Sequence, residues 1–405
     1  MPAAEPEPGG PLRVIVVGGG VAALEATLTL AELAGERVQT RVIAPNRDFL
    51  YRPLAVLDLF RGVPAERFPI RSVTSMVGAE LRPGRLGWVT PNTHRVHLVA
   101  GEILDYDALL LCPGADPRVA FRHAVTIGME LQVPRLRAVI RELENGTCQD
   151  LGLIVPPRRS WLLPLYEFAL LARRVSRARI TIISTDPEPM RAFGDGVSRR
   201  IRELLAEHDI DLLGSASASV PDPRHVQLTP EPPAGRRRGH DTRMLGFDRV
   251  VSLPELVGSH IRGLPAAPGG FLPVDRHCRV PVAGNVFAAG DGTSYPVKHG
   301  GVAAQHAQAA ARSIARLAGV TVATPAFSPA LEALLFGGEA PLWLGAQLIG
   351  GQASRSRFQA APGRTEREKL AAPHLAEALV RLRPAGSRAP GSGASPAAPT
   401  SLASG

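Results

Sequence analysis

Lysine is almost missing from this chain. Of 46 basic residues only Lys298 and Lys369 are lysines; the rest are arginines. Cysteine is nearly as scarce: Cys112, Cys148 and Cys278 are the only three, and no two form a CxxC or other close pair. That spacing argues against a disulfide framework and a cysteine-rich zinc site. Aromatic residues make up 5%. No window approaches ~18 uninterrupted apolar residues, so a membrane-spanning helix is not expected. Met1 to Pro11 is rich in Pro and Glu without an apolar centre, and so does not read as a secretory signal. These absences lead to the expectation of a cytoplasmic protein.

What is present is a large apolar fraction, 45% of 405 residues, enough for two or three domains with substantial cores. The formal net charge is +9. Such a balance suits nucleic acid, an anionic membrane surface or anionic ligands. Here the arginines are scattered, and the longest basic run is Arg236-Arg237-Arg238. The charge therefore reads as a compositional habit, and no nucleic-acid partner is expected.

Short apolar runs alternate with helical stretches. Leu12–Val17 reads as a buried strand, Val21–Ala34 as a helix and Thr40–Ile43 as the next strand, a βαβ unit. A second unit runs through Leu151–Val155, Leu163–Arg174 and Arg179–Ser184, followed by helix Ser198–His208 and strand Ile210–Leu213. A later run, Val286–Ala289, leads into an Ala-rich helix, Val302–Leu317. The expected fold class is α/β, with two doubly wound, three-layer, Rossmann-like domains and the chain returning to the first after the second. Residues 1–11 and 385–405 have the composition of disordered segments.

Three motifs carry the candidate chemistry. Gly18-Gly19-Gly20-Val21-Ala22-Ala23 is a G-x-G-x-x-A turn between a strand and a helix. Its glycines allow backbone N–H groups to approach a pyrophosphate at a helix N-terminus, and Ala23 allows close helix–strand packing. Cys112-Pro113-Gly114 ends an apolar strand in a small-residue turn, and Gly290-Asp291 ends another. There the glycine permits close approach and the carboxylate can accept from hydroxyls. The acidic residue that usually closes the second strand to hold a ribose is replaced by Ala44, followed by Pro45 and Asn46. Asn46 is open to two roles, a ribose partner or a turn residue after proline.

In this order and spacing the motifs resemble the two-dinucleotide-binding-domain flavoproteins, a family that includes glutathione reductase, type II NADH dehydrogenase and sulfide:quinone oxidoreductase. The resemblance covers about residues 12–320. It implies a glutathione-reductase-like chain: 12–118 and 246–320 as an FAD domain, 119–245 as a degenerate NAD-type domain, and 321–384 as a small C-terminal region. It places the FAD pyrophosphate on Gly18, Gly20 and Ala23, further FAD contacts on Pro113 and Gly114, and the ribityl chain on Gly290 and Asp291. Val21, Ala22, Asn46, Arg52, Lys298 and Gly301 complete the expected cofactor contacts.

Departures from the family narrow the branch. Phe49-Leu50-Tyr51-Arg52-Pro53-Leu54 stands where disulfide reductases carry a CxxxxC pair. That segment, Phe193-Gly194 and Pro296-Val297-Lys298-His299-Gly300-Gly301 look like the quinone reductase branch. The second unit's first turn, Val155-Pro156-Pro157-Arg158-Arg159-Ser160-Trp161-Leu162-Leu163-Pro164, has no glycine. Its prolines remove N–H donors and its side chains block backbone approach, so ordinary NAD(P)H binding is disfavoured. Arg158 and Arg159 leave one phosphate-holding route open to it. Ser160, Pro164, Tyr166, Glu167 and Phe168 match the corresponding run of sulfide:quinone oxidoreductases, but Trp161 takes the place of its redox cysteine. The second family cysteine is also missing. The three cysteines then read as packed or exposed thiols, and a persulfide relay is not expected.

In the related flavoproteins the long helix points its N-terminus at the flavin. Lys298 is then either a cation stabilising reduced flavin or a solvated loop lysine. His299 either relays a proton or packs. The expected function is an FAD-dependent oxidoreductase working between a small-molecule donor and an acceptor such as a quinone. The alternatives are an NAD(P)H:acceptor reductase and a flavin-binding redox partner or sensor without turnover. Apolar residues in Leu331–Leu348 suit a peripheral membrane contact, a homodimer partner or, the favoured reading, a cover over the flavin domain.

Overall fold

The computed structural model describes residues 10–157, 160–230, 242–281, 283–361 and 369–383. Arg158, Arg159, the Arg236–Arg238 run, residues 1–9 and the 385–405 tail lie outside the described residues.

The chain opens with β1 (Leu12–Val17), α1 (Val21–Ala34), β2 (Val38–Ala44), β3 (Glu80–Pro83) and β4 (Ala108–Leu111). It continues with β5 (Val125–Thr126), β6 (Asp150–Ile154), α2 (Leu163–Val175), β7 (Arg179–Ile183), α3 (Asp195–Glu207), β8 (Ile210–Leu213) and β9 (Arg249–Ser252). Then come β10 (Val286–Ala288) and α4 (Gly300–Leu317), a hairpin sheet of β11 (Ala330–Leu335), β12 (Leu342–Ile349) and β13 (Gln352–Ala360), and α5 (Pro373–Leu382).

Continuous β-branched and leucine runs suit strands covered on both faces. Val14 to Val17 and Ala108 to Leu111 are almost wholly buried, and they form the middle of a five-stranded sheet, order β10-β4-β1-β2-β3. Every pairing in it is parallel. A second all-parallel sheet has the order β5-β9-β6-β7-β8. The fold is thus the expected α/β class with two doubly wound sheets. β9 keeps the chain in the second sheet through Ser252, a few residues beyond the expected return at 246.

The apolar stretch Leu331–Leu348 meets the flavin-type domain at α4, where Gln305 and Ala330 exchange two hydrogen bonds, and otherwise packs on the second sheet's helices. β11 and β12 alternate so that Leu331, Ala333, Leu335, Leu342, Leu344, Ala346 and Leu348 form one face. That face joins the core of the second sheet with Phe168, Leu170 and Leu204 from α2 and α3. Gly337 permits the approach: its φ is 117°, and a Cβ there would lie 2.7 Å from Leu170 Cβ. Among the described residues no helix is long and apolar enough to cross a membrane.

This packing makes the hairpin part of the second sheet's stability. Leu344 is 0% exposed, so Leu344→Ala should cost about 2–5 kcal/mol. Ile349 is 68% exposed at the hairpin tip, and Ile349→Ser should stay within about 0.5 kcal/mol. Denaturant midpoints of the two variants check this; equal midpoints would place the hairpin outside the cooperative core.

Candidate functional site

The three sequence motifs meet at one place because the strands that carry them are parallel neighbours. In register, Val17 and Ala288 both sit beside Leu111, so β1, β4 and β10 end at one level. β1 is also where the strand order reverses, the position at which such sheets open a crevice beyond their carboxyl ends.

The turns interlock. A Cβ on Gly18 (φ 136°) would lie 2.2 Å from the Cys112 carbonyl oxygen. One on Gly290 (φ 82°) would lie 2.9 Å from Ala22 Cβ and 3.6 Å from Ala303 Cβ. Gly290 therefore touches the first turns of both α1 and α4, and the two helix N-termini converge beside it. Gly292 packs as tightly on Gly114 and Pro113. At Gly20, as at Gly114, no described residue lies within 4 Å of the would-be Cβ. Gly20 caps α1 without a side-chain hydrogen bond, and no acidic residue stands in the first turn. The N-terminus of α4 is likewise without a side-chain cap or an acid.

Asp291, half-buried, faces these helix ends. Burial raises its pKa, opposed by the charges of Lys298 and Arg52 and by a hydrogen bond from the His299 backbone N–H. Arg52, itself exposed, is thereby brought to the site from a distant segment. Asn46 is exposed in the turn after β2. Lys298 is not a solvated loop lysine: it is 3% exposed. Its Nζ donates to the Thr293 carbonyl at 2.5 Å and stands 4.1 Å from the centroid of the Phe271 ring. His299 is buried, and burial together with the charge of Lys369 lowers its pKa to about 4. Among the described residues its Nδ1 has no hydrogen-bond partner, and its ring centroid lies 4.5 Å from that of Trp161. His299 is neutral at physiological pH.

Two further residues near His299 carry no local sequence signal of a functional role. Glu167, on α2, is 2% exposed and pairs with Lys369 in a fully buried ion pair. Glu167 Oε1 also accepts the Phe336 backbone N–H at 3.1 Å, and Lys369 Nζ lies over the Phe336 ring at 4.8 Å. Burial raises the Glu167 pKa and the Lys369 charge opposes it. Glu167 lies in the matched run and Lys369 is the second of two lysines, but neither fact assigns a role; about 200 residues separate them, and only the fold joins them. A cleft of about 80 Å³ lies between Trp161 and Leu162 on one side and Pro296 and Lys298 on the other. The α2 N-terminus at its wall is filled by Leu162 and the buried Leu163, with Trp161 packed 6.0 Å from Phe193. A larger cleft of about 530 Å³, near Cys148, Asp150 and Arg179, opens at the amino ends of β6 and β7, the wrong end of the sheet for this chemistry.

Residues 166–313 match the family described as pyridine nucleotide-disulphide oxidoreductase. That match spans about a third of the chain. The chain is an FAD-dependent oxidoreductase. It is similar to ferroptosis suppressor protein 1 of Taeniopygia guttata, 23% identical over 295 residues, which covers 70% of this chain and 74% of that one. Its fold matches the sulfide:quinone oxidoreductase of Aquifex aeolicus at TM-score 0.75 and 19% identity, covering 92% of this chain and 90% of that one. Plasmodium falciparum NDH2 in complex with NADH matches at TM-score 0.54 and 14% identity, covering 70% and 64%.

The site fits FAD on its own features: an open space over Gly20, two converging helix N-termini without acidic caps, and the Asp291 carboxylate beside them. We propose that Gly18, Gly20 to Ala23, Asn46, Arg52, Pro113, Gly114, Gly290, Asp291, Lys298 and Gly301 hold it. Gly20 and Gly18 separate binding from folding. Gly20→Asp has room for its side chain, and should yield a folded protein that has lost its FAD through charge against the pyrophosphate. Gly18→Ala collides with the Cys112 carbonyl and should lose the fold as well. Flavin absorbance and circular dichroism of the two purified variants distinguish the effects; a fully flavin-loaded Gly20→Asp would refute the placement.

Proposed function

We propose that this flavoenzyme passes electrons to a quinone-type acceptor without a persulfide relay. The observation that carries the reading is the buried Glu167–Lys369 pair beside a neutral His299 at the start of α4. Reduction of a quinone to its quinol consumes two electrons and two protons. Bound FAD supplies the two-electron store. The chain itself must deliver protons in a dry site, and an ammonium–carboxyl pair backed by a neutral imidazole is the arrangement that does so.

The thiols argue against sulfide chemistry. All three cysteines are buried, and burial raises Cys148 to about 11 and Cys112 and Cys278 higher still. A thiolate is the nucleophile in such chemistry, and none of these forms one readily. The Aquifex relative is named for sulfide and quinone both; at the place of the redox cysteine this chain carries Trp161, whose ring covers His299. The acceptor side of that chemistry is kept in this reading and the sulfide side is not. The donor is to be found by anaerobic titration of the purified flavoprotein with NADH, NADPH and sulfide, watching the flavin band bleach.

Two variants test the assignment. Glu167→Gln should leave flavin reduction by the donor within about twofold and slow reoxidation by quinone about 10²-fold or more, because the Lys369 ammonium that gives the proton loses the carboxylate that holds it in place and receives the proton that replaces it. Removing one partner of a buried pair costs about 3–5 kcal/mol, so the double variant Glu167→Gln/Lys369→Met is included to keep the fold. Stopped-flow half-reactions read both steps; unchanged reoxidation in either folded variant would sink the proton path. Replacing Cys112, Cys148 and Cys278 together by Ala should preserve turnover, at a packing cost of about 1 kcal/mol per site. Loss of activity in that variant while it stays folded and flavin-loaded would restore the thiol mechanism.

A further inference from the structure

Glu25 is a carboxylate buried in mid-helix, at 0% exposure in α1. Such a charge is costly unless every oxygen is used. Here Gln308 of α4 donates to Oε1 at 2.6 Å and the His374 Nδ1 position lies 2.8 Å from the same oxygen. Oε2 accepts the Leu375 backbone N–H at 2.8 Å. Pro373, His374 and Leu375 are the first turn of α5, so Glu25 caps α5 from another helix, at the end where a negative charge stabilises it. His374 Nε2 reaches Glu32 Oε2 at 2.7 Å, and the imidazole thus bridges two carboxylates of α1.

The segment just before α5 is where this matters. Leu370 packs against the Gly300 position and Ala371 against Gly301, the first two residues of α4. Leu370, Ala372, Leu375 and Leu379 share one core with Leu24 and Leu28 of α1. Lys369, next in line, is the partner of Glu167. Residues 369–372 are therefore a strap laid across the start of α4, tied at one end to α2 by the ion pair and at the other to α1 by Glu25.

We propose that Glu25 is a positioning residue: through His374 and the first turn of α5 it fixes the strap that sets Lys369 against Glu167. The functional consequence rests on the proton-path reading above; the position of the strap does not. The latch is also sensitive to pH. Burial works against charging His374, but the carboxylates of Glu25 and Glu32 outweigh it and raise its pKa. A raised pKa means that the stabilisation is complete below the unfolded value of about 6.5 and is lost as pH rises through the folded value. Among the described residues no other charge acts on the imidazole. Gln308 on α4 is neutral, Thr29 Oγ1 at 3.4 Å is neutral, Glu377 on α5 is paired with Arg381, and Arg71, the one charged side chain of the neighbouring turn Ile70–Ser75, is exposed.

The scarcity of lysine makes the test direct. Both lysines of the chain are buried, so an amine-acylating reagent followed by mass spectrometry reports Lys369 with Lys298 as internal control. In the FAD-loaded wild type both should be protected at pH 7. In Glu25→Gln, and in the milder His374→Ala, the Lys369-to-Lys298 labelling ratio should rise roughly fivefold or more, the population change that loss of a helix cap produces. In the wild type the ratio should climb as the pH is raised above the ordinary imidazole value of about 6.5, and in His374→Ala that climb should be absent. Continued protection of Lys369 in a folded, flavin-loaded His374→Ala would overturn the latch, as would equal labelling of both lysines, which reports general loosening. Quinone reoxidation is measured on the same samples. Slower reoxidation wherever Lys369 is labelled supports the coupling; a labelled Lys369 with wild-type reoxidation leaves the latch standing and removes the pair from the proton path.

Discussion

The parallel pairing of β1 with β4, and of β4 with β10, is the constraint on which the site depends. These strands come from three separate parts of the chain, and backbone hydrogen bonds set their carboxyl ends at one level. The turns that follow have to pass within van der Waals distance of one another and of two helix ends. Only glycine serves at Gly18 and Gly290, where a Cβ would strike a carbonyl or Ala22. The same closeness leaves the N-termini of α1 and α4 without a side-chain cap, facing a common space. Backbone donors and dipoles that would otherwise be satisfied within the protein are thereby directed at a ligand.

A second theme is how the chain treats its few lysines. Arginine covers the surface and makes the exposed ion pairs, such as Arg82 with Glu102. Lysine appears only where a compact ammonium is buried: Lys298 against Phe271 and near Asp291, Lys369 against Phe336 and Glu167. A buried ion pair contributes little net stability, because desolvation offsets attraction. The proposal above gives the pair, at the junction of α2, α4 and the C-terminal strap, a role in chemistry rather than in stability. The C-terminal region, which in sequence reads as a cover or an interaction face, in fact does two other things. Its hairpin completes the second sheet's core, and its last helix ties the strap to α1.

The sequence by itself determined the two βαβ units, the three turns and their order, because each is a local matter: apolar periodicity within a strand or helix, and glycine where a turn demands it. It also marked the glycine-free turn from Val155 to Pro164 and the tryptophan at position 161, since both are read position by position along a local run. Only the tertiary structure decided what lies at long range. Glu167 meets Lys369, Glu25 meets His374, and Arg52 comes near Asp291 across hundreds of residues or between sheets, where no periodicity connects them. It likewise turned the β11–β12 face onto α2 and α3, because strand alternation states that a face is apolar and not which core it joins. Burial then set the charge states, holding His299 neutral and the three thiols protonated, and burial is a property of the packed chain that no residue carries in its own name.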